Sequence, residues 1–336
     1  MNKLLEQVKN NIYTYGLIED EDSIVIGLSG GPDSMFLMHI LATLKPIIEK
    51  EKGVTYRLHA AHVNHKIREE AGYDENLAME YATALGVPFH VLAIDVEAEA
   101  KRLKIGTEEC GRNIRYDFFN KVKAELNATK IAVAHNAGDN AETIMLNFLR
   151  GAGLQGLSGM EYISKDIIRP ILDIDKKDIL EYLDENKIPY AIDKTNLENE
   201  YTRNKVRNDL LKKIEKEFNP NIITTLNRMA KINKQDNEII LNAVKTAYNN
   251  LGVKKENNKI IIDTRKFNEY SDAMKYRLVR QILTELLGNV QNIEMVHVKD
   301  TCKLIESNIT GKQYILGNKY KVVIIKKNTA VFMKNV

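Results

Sequence analysis

Two cysteines, Cys110 and Cys302, are all that the 336 residues contain, and they lie far apart. They form no C-x-x-C pair, which removes zinc ribbons and dithiol redox motifs and fits a reducing compartment. No G-x-x-x-x-G-K-[ST] stretch occurs either, so the lysine-bearing phosphate loop is excluded. No apolar run approaches the length of a bilayer span. The N-terminal MNKLLEQVKNNIYTYGLIED is broken by charges and lacks a signal-peptide stretch. These absences lead to the expectation of a cytoplasmic protein without a membrane partner. Internal repeats and low-complexity tracts are missing too. The net charge of +3 singles out no partner class by itself. What is present, 44% hydrophobic and 28% charged residues, suits a globular chain of two or three domains.

The pattern over residues 20–150 alternates strands and helices. Apolar runs at 23–28, in YRLHAAHVNH, in FHVLAID and in KIAVAHN read as strands. Helical spacing follows at 33–45, where Pro46 is expected to interrupt it, and again at 69–85, 107–125 and 139–150. Strands alternating with helices of this length predict an α/β fold with a doubly wound parallel sheet. Such sheets bind their ligands beyond the carboxyl ends of the strands. Three strand ends carry polar clusters, SGGPDS, HVNHKIR and HNAGDNAET, and these are expected to meet at one site. After about residue 215 the character changes. Residues 220–250 and 271–307 read as long helices and 312–333 as short strands. The boundary is placed near Phe218-Asn219-Pro220, giving a domain over 1–217 and a mainly helical one over 218–336.

The loop Ser29-Gly30-Gly31-Pro32-Asp33-Ser34 follows the first strand directly. Its glycines permit a tight turn with exposed N–H groups, and Pro32 suits a first helical turn. The serine hydroxyls and the positive end of the helix favour an anion, specifically a phosphate. Asp33 beside a phosphate calls for a cation between them, and Mg²⁺ is the natural one. Further along, Arg112 and Arg115 share a helix face and suit a phosphate or carboxylate. Asp139 and Glu142 sit three apart in a first helical turn, where two carboxylates suit an ammonium group or a metal. Residues 201–220 hold six Lys/Arg, among them Arg203, Lys205 and Arg207, against three acids; residues 312–334 hold six lysines and no acid. Basic helices and ribbons of this kind are the footprint of phosphate-backbone binding. The aromatics nearby are too few for a base-stacking platform. Gly151-Ala152-Gly153-Leu154-Gln155-Gly156 matches G-x-G-x-x-G literally, but it follows a helix, so no dinucleotide site is expected.

SGGPDS resembles the PP-loop of the ATP pyrophosphatase superfamily. With the segments that follow, the chain resembles the tRNA(Ile)-lysidine synthase family from about residue 20 to 220. Those segments are AHVNHKIR, the R-x-x-R-Y helix at Arg112–Tyr116, AHNAGDNAET with RGAGLQGL, Arg169-Pro170-Ile171-Leu172, and Asp193 to Arg207. Residues 220–330 look like the family's helical, substrate-binding region, and larger members carry a further C-terminal domain beyond it. The resemblance implies ATP bound by Ser29, Gly30, Gly31, Pro32, Asp33 and Ser34, with Mg²⁺ on Asp33. It implies adenylation of the carbon-2 oxygen of the wobble cytidine in the CAU anticodon of isoleucine tRNA. The ε-amine of L-lysine then displaces AMP. Catalytic roles are expected for Asp33, His135, Asp139 and Glu142, with His135 or Glu142 as the base. Lysine is expected on Arg112, Arg115, Asp139 and Glu142, and tRNA on Arg203, Lys205 and Arg207. Whether a second copy of the chain takes part is left open. The alternative within the superfamily is a tRNA thiolation enzyme, which generally needs paired cysteines. A small-molecule synthetase on the same loop and a non-catalytic RNA-binding protein are weaker alternatives.

Overall fold

The computed structural model describes residues 2–66, 71–191, 202–288, 290 and 293–334. Two compact units divide the chain, Met1–Asn233 and Lys234–Val336.

The first unit opens with α1 (Lys3–Thr14), capped by the Asn2 side chain, and continues into β1 (Ser23–Gly27) and α2 (Pro32–Lys52). Then come β2 (Arg57–Asn64), α3 (Ala71–Ala84), β3 (Phe89–Ala93), α4 (Val96–Leu103), α5 (Thr107–Glu125), β4 (Lys130–Ala132) and α6 (Ala137–Leu149). The short α7 (Leu154–Leu157), the strands β5 (Ile163–Ser164) and β6 (Ile167–Ile168), and α8 (Lys176–Glu185) follow. A last basic helix runs through α9 (Thr202–Lys205), a π-helical stretch (Val206–Leu211) and α10 (Lys212–Glu217). The sheet order is β3-β2-β1-β4-β6-β5, parallel except for the edge strand β5. This is the alternating α/β architecture that the sequence pattern predicts.

Helices cover both faces because the central strands are apolar on both. Ile24 and Ile26 of β1 pack with Phe36, Leu37, Ile40 and Leu44 of α2, while Val25 packs with Phe118, Phe119 and Val122 of α5. Pro46 does not end its helix. It lies on the solvent side of α2, where water can take the hydrogen bond that its missing N–H forgoes, and Ile48 stays buried beyond it. The real stop is Gly53, in the left-handed region at φ +68°. Two further elements escape the sequence pattern. Helix α4 has Asp95 as its N-cap and buries only Val96 and Ala100, and the β5–β6 hairpin is two residues a strand.

Helix α11 (Ile222–Asn250) begins in the first unit, where Leu226 and Ala230 pack with Ile144, Val206 and Leu211; this carries the division past the 217/218 turn to Asn233. The second unit adds β7 (Lys254–Glu256), β8 (Lys259–Asp263), α12 (Thr264–Asn268), α13 (Asp272–Leu287), α14 (Met295–Ser307), β9 (Gln313–Leu316), β10 (Tyr320–Lys326) and β11 (Thr329–Lys334). Its sheet is antiparallel, in the order β7-β8-β11-β10-β9. The hairpin of β7 and β8 joins the three terminal strands that the sequence pattern predicts. Phe267, Leu278, Ile282, Ile305, Tyr320 and Phe332 form its core. Among the described residues no helix is long and apolar enough to cross a membrane.

Gly27, at the end of β1, faces the Phe119 ring so closely that a Cβ would lie 2.7 Å from two ring carbons. Phe119 is itself buried. Gly27→Ala should therefore cost about 1–3 kcal/mol by overpacking and lower the melting temperature by several degrees. Adding Phe119→Leu should recover part of that loss. Equal melting temperatures for Gly27→Ala and the parent would contradict this packing.

Candidate active site

The loop that leaves β1 is held in shape by its own hydroxyls. Ser34 Oγ accepts the Ser29 N–H at 3.1 Å and donates to the Gly31 carbonyl at 2.9 Å, and Ser29 Oγ accepts the Gly31 N–H at 3.3 Å. Gly30 has φ +85°, and a Cβ there would approach the Asp74 carbonyl to 3.2 Å, so both conformation and space select glycine. Gly31 gives α2 no side-chain cap and Pro32 occupies the first turn, which leaves a positive helix end open to an anion. His62, at the end of β2, donates Nδ1–H to the Leu28 carbonyl at 2.8 Å and anchors the strand beneath the loop. Burial lowers its pKa, which keeps it neutral in that structural role.

Asp33 in this loop meets two partners from distant segments. Its Oδ1 accepts Nδ2–H of Asn136 at 3.0 Å, and its Oδ2 pairs with Lys176 Nζ at 2.6 Å. Asn136 is also the N-cap of α6. Its Oδ1 accepts the N–H groups of Gly138 and Asp139 at 2.8 and 3.1 Å, and Asp139 Oδ2 accepts the Asn136 N–H at 3.1 Å. This reciprocal cap fixes the start of α6 and joins it to the glycine loop.

Asp139 and Glu142 lie on one face of α6, as their spacing predicts. Two arginines already occupy them. Arg203 donates to Glu142 at 2.8 Å and to Asp139 at 3.4 Å. Arg207 donates to Asp139 at 2.9 Å and grips both oxygens of Glu142. Two carboxylates and two guanidiniums thus cancel in a pocket where the Glu142 side chain is only 3% exposed. Burial alone would lower the Arg207 pKa, but its bonds and charge interactions with Glu142 and Asp139 raise it. Arg203 and Arg207, expected at a tRNA backbone, pair with these carboxylates while keeping 28% and 36% of their side chains exposed, and Lys205 lines a separate cleft.

His135 has a partner of its own. Its Nδ1 accepts Nε–H of Arg169 at 3.1 Å. A guanidinium only donates, so Nδ1 is unprotonated and the ring proton sits on Nε2. Burial, opposed by Asp139 and assisted by Arg169, Arg203 and Arg112, holds its pKa down at about 4. At neutral pH His135 is therefore neutral, with Nδ1 engaged by Arg169 and the Nε2–H free to donate. Arg112 lies over the Tyr116 ring, 5.0 Å from its centroid, and both it and Arg115 are exposed on α5. Neither forms a described ion pair with Asp139 or Glu142. Arg115 instead faces His65, whose pKa burial and that arginine push down to about 4.

The sequence reading missed Lys176, which follows the cap residue Asp175 in an ordinary helix start and has no motif around it. Asn136 was legible in principle, since Asn followed by Asp three positions on is a cap signature. Arg68, Asp193, Asn196 and Tyr201 lie outside the described residues. Both cysteines are buried, Cys110 beside Val96 and Ala100 and Cys302 in the core of the second unit. Burial raises both thiols, Cys302 to about 12, so neither is a thiolate at neutral pH. Among the described residues no group of three His, Cys, Asp or Glu side chains is arranged to hold a metal.

A parallel sheet whose first strand feeds an uncapped glycine loop defines the PP-loop class, and residues 1–214 match the family model described as a PP-loop domain, a domain that uses ATP. Over 334 residues the chain is 35% identical to the tRNA(Ile)-lysidine synthase of Clostridioides difficile strain 630, covering 99% of this chain and 71% of that one. It is 38% identical over 324 residues to the tRNA(Ile)-lysidine synthase of Clostridium tetani strain Massachusetts / E88, covering 95% and 67%. The chain belongs to the tRNA(Ile)-lysidine synthase family and spans about two thirds of the length of these relatives. Among solved structures, the U34-tRNA thiolase NcsA from Methanococcus maripaludis with its [4Fe-4S] cluster shares the fold, with TM-score 0.53 and 19% identity over 68% of this chain and 78% of that one.

Two half-buried histidines should make the protein less stable in acid. His65 and His135 have native pKa values near 4, against an ordinary value of 6.5. Below pH 6.5 the unfolded chain binds protons that the native chain excludes, so stability is complete above that value and declines as pH falls toward 4. The urea midpoint should drop between pH 7 and pH 5, and the drop should be smaller in His65→Leu. A midpoint independent of pH over this range would refute the assignment.

Proposed function

We propose that the chain attaches L-lysine to carbon 2 of the wobble cytidine in the CAU anticodon of isoleucine tRNA, at the expense of ATP. The observation that carries this reading is the bond from Asn136 to Asp33, which ties the nucleotide loop to a buried pocket of paired opposite charges. An adenylating loop beside a pocket for an amino acid is what the reaction requires. The cytidine oxygen at carbon 2 attacks the α-phosphate and pyrophosphate leaves. The lysine ε-amine then attacks carbon 2, the bond to AMP breaks, and the amine loses its proton.

Ser29 to Ser34 cradle the phosphates with N–H and hydroxyl groups and with the positive end of α2. Asp33 is an oxygen donor of the kind Mg²⁺ takes, and with phosphate oxygens it would hold that ion, which neutralises phosphate charge. Lys176, paired with Asp33 in the free chain, is the cation on this loop able to contact a phosphate. The Asp139, Glu142, Arg203 and Arg207 quartet suits a zwitterion. The α-ammonium of lysine replaces an arginine on the carboxylates, and its carboxylate takes the arginine so freed. His135, a donor at Nε2, holds an oxygen near the reacting centre, which leaves Glu142 as the group able to accept the amine proton. The basic second unit, with its six terminal lysines, is read as part of the tRNA-binding surface, and Lys205 as a phosphate contact. A thiolation reading has no such support, because Cys110 and Cys302 sit in separate cores.

The direct test is incorporation of radiolabelled lysine, with ATP and Mg²⁺, into isoleucine and methionine tRNA transcripts that both carry CAU. Label in the isoleucine transcript alone is expected. Pyrophosphate release stimulated by tRNA, without label, would reject lysine as the nucleophile. Asp139→Asn should raise the KM for lysine at least about 10-fold and spare that for ATP, since a charged hydrogen bond is lost. An unchanged lysine dependence would remove Asp139 from the pocket. Lys176→Ala should raise the KM for ATP by about 10-fold and leave that for lysine in place; an unaltered ATP dependence would reduce Lys176 to a surface ion pair.

A further inference from the structure

We propose that a second RNA subsite lies beside the reacting centre: an apolar cleft that takes an unstacked base of the substrate strand, with Lys205 and Lys213 on its rim taking adjoining phosphates. This rests on the RNA substrate of the preceding reading and names a surface that the reading does not require.

The cleft, of about 390 Å³, opens between the end of α6 and the basic helix. Leu149, Val206 and Leu210 line it with Thr202, the two lysines and Asp209. Leu149 is 59% exposed and its neighbour Phe148 62%, so two large apolar side chains face solvent in succession where α6 ends. Exposed apolar surface rimmed by charge marks an interaction site. Charge decides which partner it fits. Residues 201–220 hold six Lys/Arg against three acids, and Arg150 adds another cation after Leu149. Apolar walls that take a base, with cations tracking the backbone, are the ordinary means of holding single-stranded nucleic acid.

Position favours the same occupant. Glu142 and Leu149 are seven residues apart on α6, so the cleft lies roughly 10 Å along the helix from the carboxylate pair, within reach of a neighbouring nucleotide of the same strand. The basic helix serves both places. Arg203 and Arg207 reach the carboxylates, while Lys205, Val206 and Leu210 reach the cleft. Its turn at Val206–Leu211 is π-helical, an irregularity that recurs at functional sites.

The test uses the full chain with Leu149→Asp, and separately with Lys205→Ala and Lys213→Ala combined. Filter binding gives the tRNA affinity, and lysine incorporation gives the KM for tRNA, ATP and lysine. Leu149→Asp should weaken tRNA binding at least about 10-fold and raise the tRNA KM to match, since it replaces an apolar wall with an anion facing the strand, with ATP and lysine KM and the melting temperature unchanged. The double lysine variant should lower the slope of log affinity against log salt by about 1–2, as loss of two single-strand phosphate contacts requires. Parent-like tRNA affinity in both variants overturns the proposal, as does a parallel rise in the ATP and lysine KM. A parent chain that binds tRNA but incorporates no lysine rejects the ligation reading alone, because the binding arm still decides the cleft. A parent chain that binds no tRNA rejects both.

Discussion

The first unit depends on one amide. Asn136 donates to Asp33 and accepts from the first turn of α6, so a single side chain sets the distance between the glycine loop and the carboxylates of that helix. Both of its ends are engaged and it is buried, so it has no freedom to drift. The capping box makes the start of α6 rigid, and the rigid start aims Asp139 and Glu142 at the arginines of the basic helix.

Lys176 and Asp33 supply the second constraint. A carboxylate within a phosphate-binding loop repels its ligand, and the sequence answers this with an expected metal ion. The structure adds a lysine at 2.6 Å. The two answers are compatible, since the ion pair keeps the loop neutral in the free protein and can be exchanged when phosphate and cation arrive together. Such an exchange costs little, because Lys176 is partly exposed and its ammonium is solvated in either position.

The alternating architecture and the glycine loop were legible because their signals are local. Apolar runs of strand length, a turn that only glycine can make and a cap three residues from its partner lie within a few positions of each other. The same holds for the three terminal strands and for Asp139 and Glu142. What was not legible is long-range pairing. Nothing near Lys176 says that it meets a loop 143 residues away, and nothing near Arg203 or Arg207 says that they pair with Asp139 and Glu142. Charge density alone suggests an RNA-facing role for both arginines, and the same composition serves a partly exposed ion-pair network equally well. His135 and Glu142 are both base candidates by type. The tautomer of His135 depends on Arg169, a residue 34 positions on, and burial lowers its proton affinity. Pro46 and α4 show the converse, where burial of neighbours outweighs a local breaker or rescues a weak pattern.

As the proposed lysine site, the quartet of Asp139, Glu142, Arg203 and Arg207 would have a consequence for selectivity. Since its charges already cancel, any newcomer enters by ion exchange rather than by attraction. A simple diamine would satisfy the carboxylates and strand an arginine, and a simple acid would do the reverse. Either leaves a desolvated charge unmatched, which costs more than the one contact it makes returns. Only a ligand that brings both signs at the right separation keeps the balance. A pocket so built would screen for amino acids as a class before the length or ending of any side chain is measured.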